Sequence, residues 1–282
     1  MSITLATDLD RTLFPNGNQP CDNAMPLFRR VVEAKRLPLI FVTGRHLRQI
    51  EDGIREYGPP LPDMAIAEVG TRLYRRAGER FEEDTDFVGF IQENTRNWDL
   101  EAFKSALDDL PLRLQPEEHQ NRFKLSFFVD DLEGAGHVRR DAENILEGIC
   151  PDAHIIWSVD ETLGLGMLDV LPAKANKMEA LEYVRRRREI PKEQIIYCGD
   201  SGNDIIPLTG GYNAIVVANA IDDVRAEVKR IAEKKGVAHR VYFARGSDAL
   251  SLNGNYVSGI IEGLLHFGIF DEEEWKTLRS AP

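Results

Sequence analysis

Two short acidic clusters in this chain have the residue types and spacing that phosphate chemistry requires. Asp8-Leu9-Asp10-Arg11-Thr12 follows the apolar run 3–7, and Gly199-Asp200-Ser201-Gly202-Asn203-Asp204 follows the run 195–198. Both runs read as short buried strands, so each cluster stands where a strand ends. Four carboxylates gathered at one sheet edge repel one another unless a cation or a shared proton compensates. Hard oxygen ligands of this kind suit Mg²⁺.

Aspartates at i and i+2 after a strand can divide the work of phosphoryl transfer. Asp8 would attack phosphorus and ligate the metal. Asp10 would lend its backbone carbonyl to the metal and use its side chain as acid and then base, a contribution of about 10²–10⁴ in rate. Asp200 completes the metal shell, Asp204 supports or joins it, and Asn203 offers an amide to substrate. Thr12 reads as a turn hydroxyl.

Further along the chain, Thr43-Gly44 follows the apolar run 39–42 and can present a hydroxyl and a backbone N–H to phosphate oxygens. Lys177 opens a helix and can balance the charge between phosphate and nucleophile, because such transfer rests on positioning and electrostatics. Arg45 and His46 come next after the phosphate loop and are expected to face the cleft. Asp10 already fills the role of base, which leaves His46 as a polar cleft or surface residue. Glu68 and Gly70, at the end of a third strand, are expected with Arg45 to line the substrate side of that cleft.

The elements that must position these residues alternate. Strands are predicted over 3–7, 39–42 and 64–69, with helices over 24–35 and 47–57 between them and a hairpin beginning at Gly70. Helix 177–188, strand 195–198, helix 204–208, strand 214–217, helix 222–235, strand 241–243 and helix 256–267 resume the pattern. Strands separated by helices imply right-handed crossovers and a mostly parallel, doubly wound sheet with ligands at the carboxyl ends of its strands. The middle differs: one helix over 86–110, a strand over 123–129, a helix over 138–146, and strands over 154–159 and 167–171. This reads as an inserted α+β lobe. Expected boundaries are 1–82 and 173–282 for the core and 83–172 for the insert.

Composition excludes several function classes. The chain has 282 residues, 43% hydrophobic and 29% charged, within the range of globular proteins. A formal charge of −12 argues against nucleic acid or an anionic membrane surface as the main partner. The run Arg185-Arg186-Arg187-Arg188 then reads as the solvated face of a helix. Three cysteines without metal-type spacing suit a reducing, cytoplasmic setting. No apolar stretch reaches the roughly 20 residues needed to span a bilayer, and no signal peptide is evident.

Asp8-x-Asp10-x-Thr12, Thr43-Gly44, Lys177 and Gly199-Asp200-x-x-x-Asp204, in this order, resemble the four motifs of the haloacid dehalogenase superfamily. The insert between the second and third resembles that superfamily's type IIB (C2B) cap. A narrower resemblance, to sucrose-phosphate phosphatases, runs through Asn121-Arg122-Phe123-Lys124-Leu125-Ser126, Asp169-Val170-Leu171-Pro172, Asn176-Lys177 and the stretch 259–267. It implies a Mg²⁺-dependent sugar-phosphate phosphatase with an aspartyl-phosphate intermediate and a sugar contact at Lys124. Sucrose 6-phosphate leads the implied substrates; mannosylfructose, glucosylglycerol and trehalose phosphates remain open, as do a phosphomutase and a non-catalytic partner of a sugar-phosphate synthase. Met178, Arg11, the extra residues between Trp157 and Asp169, and a charged tail after Phe270 depart from the pattern.

Overall fold

The structure, a computed structural model, describes residues 3–160 and 163–280. Its first strand, β1 (Thr4–Thr7), leads through α1 (Met25–Lys35) to β2 (Leu39–Val42), then α2 (Leu47–Tyr57) and β3 (Met64–Ala67). The hairpin β4 (Arg72–Ala77) and β5 (Arg80–Glu83) follows, then α3 (Thr85–Glu93) and α4 (Leu100–Ala106). The next elements are β6 (Arg113–Leu114), β7 (Leu125–Val129), α5 (Ala135–Glu147), β8 (Ala153–Asp160) and β9 (Leu165–Pro172). The chain then returns through α6 (Lys177–Arg187), β10 (Ile195–Gly199), α7 (Ile205–Leu208), β11 (Asn213–Val216), α8 (Asp222–Lys234) and β12 (Val241–Phe243). The last helices are α9 (Tyr256–His266) and α10 (Glu272–Ser280).

Eight strands form one sheet in the order β12-β11-β10-β1-β2-β3-β4-β5. Its pairs are parallel from β12 to β3, and the pairs β3–β4 and β4–β5 are antiparallel. Successive side chains on a strand face opposite layers, and this sheet is buried on both. Leu5, Leu39 and Phe41 pack with α1, α2 and α9, while Ala6, Ile40 and Val42 pack with α6 and α8. Sequence order reverses between β1 and β10, so a crevice opens at their carboxyl ends. Both aspartate clusters emerge there.

The second sheet, β6-β7-β9-β8, is antiparallel and built from the inserted segment. One face packs Leu125, Phe127, Leu168 and Val170 against α4 and α5. The intervening residues Ser126, Met167 and Asp169 face the other way.

Three expectations are corrected. The helix over 86–110 is two helices, because its halves belong to different cores: Phe87 and Ile91 pack with the large sheet, Phe103 and Leu107 with the small one. Asn97 takes a left-handed φ of 56° at the break, and the Asp99 carboxylate caps α4 by accepting from Glu101 N (3.0 Å) and Ala102 N (3.1 Å). Strand β3 stops at Ala67, since residues 68–70 turn left-handed. Strand β7 begins at Leu125, after a bridge between Asn121 and Lys124. The charged tail is a helix, anchored by buried Trp275 against Phe270 and by the Lys35–Glu274 ion pair at 2.6 Å.

Candidate active site

Adjacent strands bring the clusters together. The register pairs Thr7 with Cys198, and Asp8 N donates to Cys198 O at 2.9 Å. Lys177, in the first turn of α6, is buried and places Nζ 2.7 Å from Asp8 Oδ1 and 2.8 Å from Asp204 Oδ1. Asp204 is fully engaged. Its Oδ1 also accepts from Tyr197 OH (2.6 Å), and its Oδ2 accepts from Asp200 N (3.2 Å), Ser201 N (3.1 Å) and Ser201 Oγ (3.1 Å). Asp200 accepts from Thr12 Oγ1 at 2.9 Å and pairs with the Arg11 guanidinium at 3.4 Å. Thr12 is therefore more than a turn hydroxyl: it fixes a carboxylate of the other cluster.

Asp10 faces elsewhere. Its half-exposed carboxylate is gripped by Arg45 (Nη2 to Oδ1 2.7 Å, Nε to Oδ2 3.0 Å) and by Asn16 Nδ2 (2.5 Å). Arg45, expected as a substrate contact, thus spends its guanidinium on Asp10, although it still borders the cavity. Thr43 is buried behind Gly44, and its hydroxyl accepts from Arg45 N at 3.2 Å. His46 is the N-cap of α2, where Nδ1 accepts from Gln49 N at 3.4 Å.

Above these groups lies a cavity of about 420 Å³ walled by both sheets. The core contributes Asp8, Asp10, Gly44, Arg45, Asp200 and Asn203; the insert contributes Gln115, His119, Lys124 and Asp169. Lys124 is buried in this wall and, among the described residues, makes no ion pair. Burial above all, and then Lys124, pushes the His119 imidazole below its usual value. The inserted lobe touches the Asp200 loop directly: a Cβ added to Gly202 would lie 2.8 Å from Trp157 O.

The two residues expected to line the sugar side of the cleft lie outside the cavity. Glu68 is buried beside it and bonds Asn121 and Arg72. Gly70 has φ 103°, and a Cβ there would sit 2.2 Å from the Asn176 carbonyl carbon. It is a close-packing position against the start of α6, which leaves no surface for a sugar. Sequence reading missed Tyr197, Asn16, Gln115 and His119. Tyr197 had a signal, being a polar-tipped residue inside an apolar run just before the second cluster. Gln115 and His119 had none, since they hang on a two-residue strand and a single helical turn.

The electrostatics call for a cation. Oxygen atoms of Asp8, Asp200 and Asp204, all buried, lie within 4.8 Å of one another. Burial raises the Asp8 carboxyl well above its usual value; Lys177 opposes this, while Asp204, Asp200 and Asp10 add to it. Burial, and then Asp204, pushes Asp200 up to about 7. Three buried carboxylates thus face Lys177 and a less intimate Arg11. This hard, all-oxygen and undercompensated donor set fits Mg²⁺.

The sequence profile of the sucrose-6F-phosphate phosphohydrolase family matches residues 1–268. A protein described as a HAD-like hydrolase in Nitrosococcus oceani is 38% identical over 269 residues, covering 94% of this chain and 71% of that one. The mannosylfructose-phosphate phosphatase of Agrobacterium fabrum is 26% identical over 267 residues, covering 94% and 96%. Among solved structures, the sucrose-phosphatase of Synechocystis sp. PCC6803, in complex with sucrose and phosphate, shares the fold with a TM-score of 0.76 at 23% identity, covering 95% and 98%. The fold and site define a phosphoric monoester hydrolase of the haloacid dehalogenase superfamily. Within it, the chain belongs to the sucrose-6F-phosphate phosphohydrolase family.

Proposed function

We propose that this protein hydrolyses a sugar phosphate, sucrose 6-phosphate before others, through a phosphoryl group carried on Asp8. The observation that carries the reading is Lys177 Nζ, buried and bonded at once to Asp204 and to Asp8, which lines a cleft walled by core and insert. In the first step an Asp8 oxygen forms a bond to phosphorus, the bond from phosphorus to the sugar oxygen breaks, and Asp10 gives that oxygen a proton. In the second, Asp10 takes a proton from water, whose oxygen attacks phosphorus and frees Asp8 with release of phosphate.

Asp8 and Asp200 would hold Mg²⁺, with Asp10 lending its backbone carbonyl, because both oxygens of Asp204 are committed to Lys177, Tyr197 and the Asp200 loop. Mg²⁺ bound there offsets the repulsion between Asp8 and the phosphate. Asp204 instead aims Lys177 and shapes the loop. Thr43, Gly44 and Lys177 would receive the phosphate oxygens. Residues 83–172 would serve as the cap over the core formed by 1–82 and 173–282, excluding bulk water from the reaction. The sugar would meet Lys124, Gln115, His119 and Asp169 on one side and Asn203 on the other. Three free thiols, Cys21, Cys150 and Cys198, suit work in the cytoplasm.

The substrate is tested by measuring phosphate release with Mg²⁺ over a panel of sucrose 6-phosphate, mannosylfructose, glucosylglycerol and trehalose phosphates, and single hexose phosphates. The highest kcat/KM is expected for sucrose 6-phosphate. Preference for mannosylfructose phosphate would move the assignment to the activity of the Agrobacterium relative. Turnover of none of them would overturn the reading.

A further inference from the structure

Residues 68–70 form a corner that the catalytic scheme does not use. Glu68 (φ 51°), Val69 (φ 63°) and Gly70 (φ 103°) are three successive left-handed residues at the end of β3. For a β-branched residue such as Val69 this region is an outlier, and it persists only where the surroundings impose it.

Three attachments impose it. On the phosphate loop, Glu68 N donates to Arg45 O at 3.0 Å and Val69 N donates to Thr43 O at 3.0 Å. On α6, Gly70 packs so closely that an added Cβ would lie 2.6 Å from Lys177 N. On the inserted lobe, Asn121 Nδ2 donates to the Glu68 carboxylate and, at 2.8 Å, to Thr71 Oγ1. Thr71 Oγ1 in turn donates to Glu68 O at 2.8 Å, and Arg72 Nε stands 3.1 Å from the other Glu68 carboxylate oxygen.

Asn121 is equally fixed within its own lobe. Its Oδ1 accepts from Phe123 N at 2.7 Å, and its backbone bonds Lys124 in both directions (3.0 and 3.2 Å). Lys124 borders the cavity. The Asn121 side chain, bonded to Glu68 and Thr71, therefore joins the Lys124 segment to the corner that braces Thr43, Arg45 and the start of the Lys177 helix. A contact serving only to seal the interface would not need a left-handed valine, since an ordinary turn would seal it without strain.

We propose that Asn121 and Glu68 are positioning residues for the phosphatase reaction proposed above. Their contact sets the Lys124 segment of the cap in register with the phosphate loop and with Lys177. It matters for a substrate held by cap and core together, and much less for a small aryl phosphate held through its phosphate alone. The inference rests on the phosphatase reading. The two fail differently, because absence of phosphate release from the unaltered protein would refute that reading alone.

The test compares kcat/KM for the best sugar phosphate of the panel with kcat/KM for p-nitrophenyl phosphate, both with Mg²⁺. Asn121→Asp sets a second carboxylate against Glu68. The ratio of sugar phosphate to aryl phosphate should fall roughly tenfold to a hundredfold, the worth of a buried hydrogen bond to a charged group together with its repulsive replacement. Adding Glu68→Gln to that variant exchanges donor and acceptor and should recover most of the ratio. Asn121→Ala carries the same expectation without added charge and serves if Asn121→Asp does not fold, as judged by thermal unfolding. An unchanged ratio in a folded Asn121 variant, or a double variant no better than the single one, would overturn the proposal.

Discussion

The two walls of the cleft are built on opposite principles. On the core side almost every charged atom is spoken for: Lys177 bridges two aspartates, Asp204 accepts from both neighbouring backbone amides, and Arg45 grips Asp10. On the inserted side Lys124 has no ionic partner among the described residues, and its neighbours Gln115 and His119 hang on short irregular elements. A wall satisfied in advance suits chemistry that is the same for every substrate, because preorganised groups need no rearrangement as charge develops. A wall holding a lysine without a carboxylate partner suits recognition, because a ligand that satisfies it gains and one that cannot loses.

Three substitutions or conditions would break or sharpen that contrast. The largest effect belongs to the core. Asp8→Asn should lower phosphate release at least roughly 10³-fold on every substrate alike, since the nucleophile is lost and not merely misplaced. Full Mg²⁺-dependent turnover by this variant would refute the covalent scheme. A smaller and selective effect belongs to the insert. Lys124→Ala should lower kcat/KM for the sugar phosphate by roughly tenfold to a hundredfold, as expected for a hydrogen bond from a charged donor, while p-nitrophenyl phosphate loses far less. An equal loss on both substrates would place Lys124 with the chemistry and erase the contrast.

The smallest effect is on stability and again concerns the core alone. Without divalent cation, Asp200 titrates near 7 in the folded protein against an ordinary 3.8. The folded state then binds its proton more tightly than the unfolded chain, so stability is greatest below about 4 from this group and declines as pH rises towards 7. The thermal midpoint of the cation-free protein should show this decline as a component, and Mg²⁺ should raise the midpoint more at pH 8 than at pH 5. A Mg²⁺ effect independent of pH would mean that Asp200 is not where the cation acts.

The core wall was largely legible in the chain. Asp8, Asp10, Asp200 and Asp204 stand directly after apolar runs, and local sequence suffices to end a buried strand and expose the residues just beyond it. The insert was legible as a lobe and not as a surface. Its helix over 86–110 looked continuous, because nothing local announces that Phe87 and Phe103 will join different cores. Glu68 and Gly70 were misplaced for a related reason. Proximity to the end of a strand says that a residue is near the cleft, but the partner that captures its side chain comes from elsewhere in the chain.

By itself, then, the sequence singled out the acidic groups of the candidate site and put each cluster at the end of a buried strand, since strand burial and turn composition are written over a few residues at a time. Only the tertiary structure decided how those groups are spent. Five hydrogen bonds close on Asp204, and the guanidinium of Arg45, at the border of the cavity, grips Asp10. Asn121 was a letter in a cap strand until it reached Glu68, 53 positions away. The physical reason is common to all three: whether a polar group is free to act depends on which distant partner satisfies it, and burial makes that satisfaction compulsory.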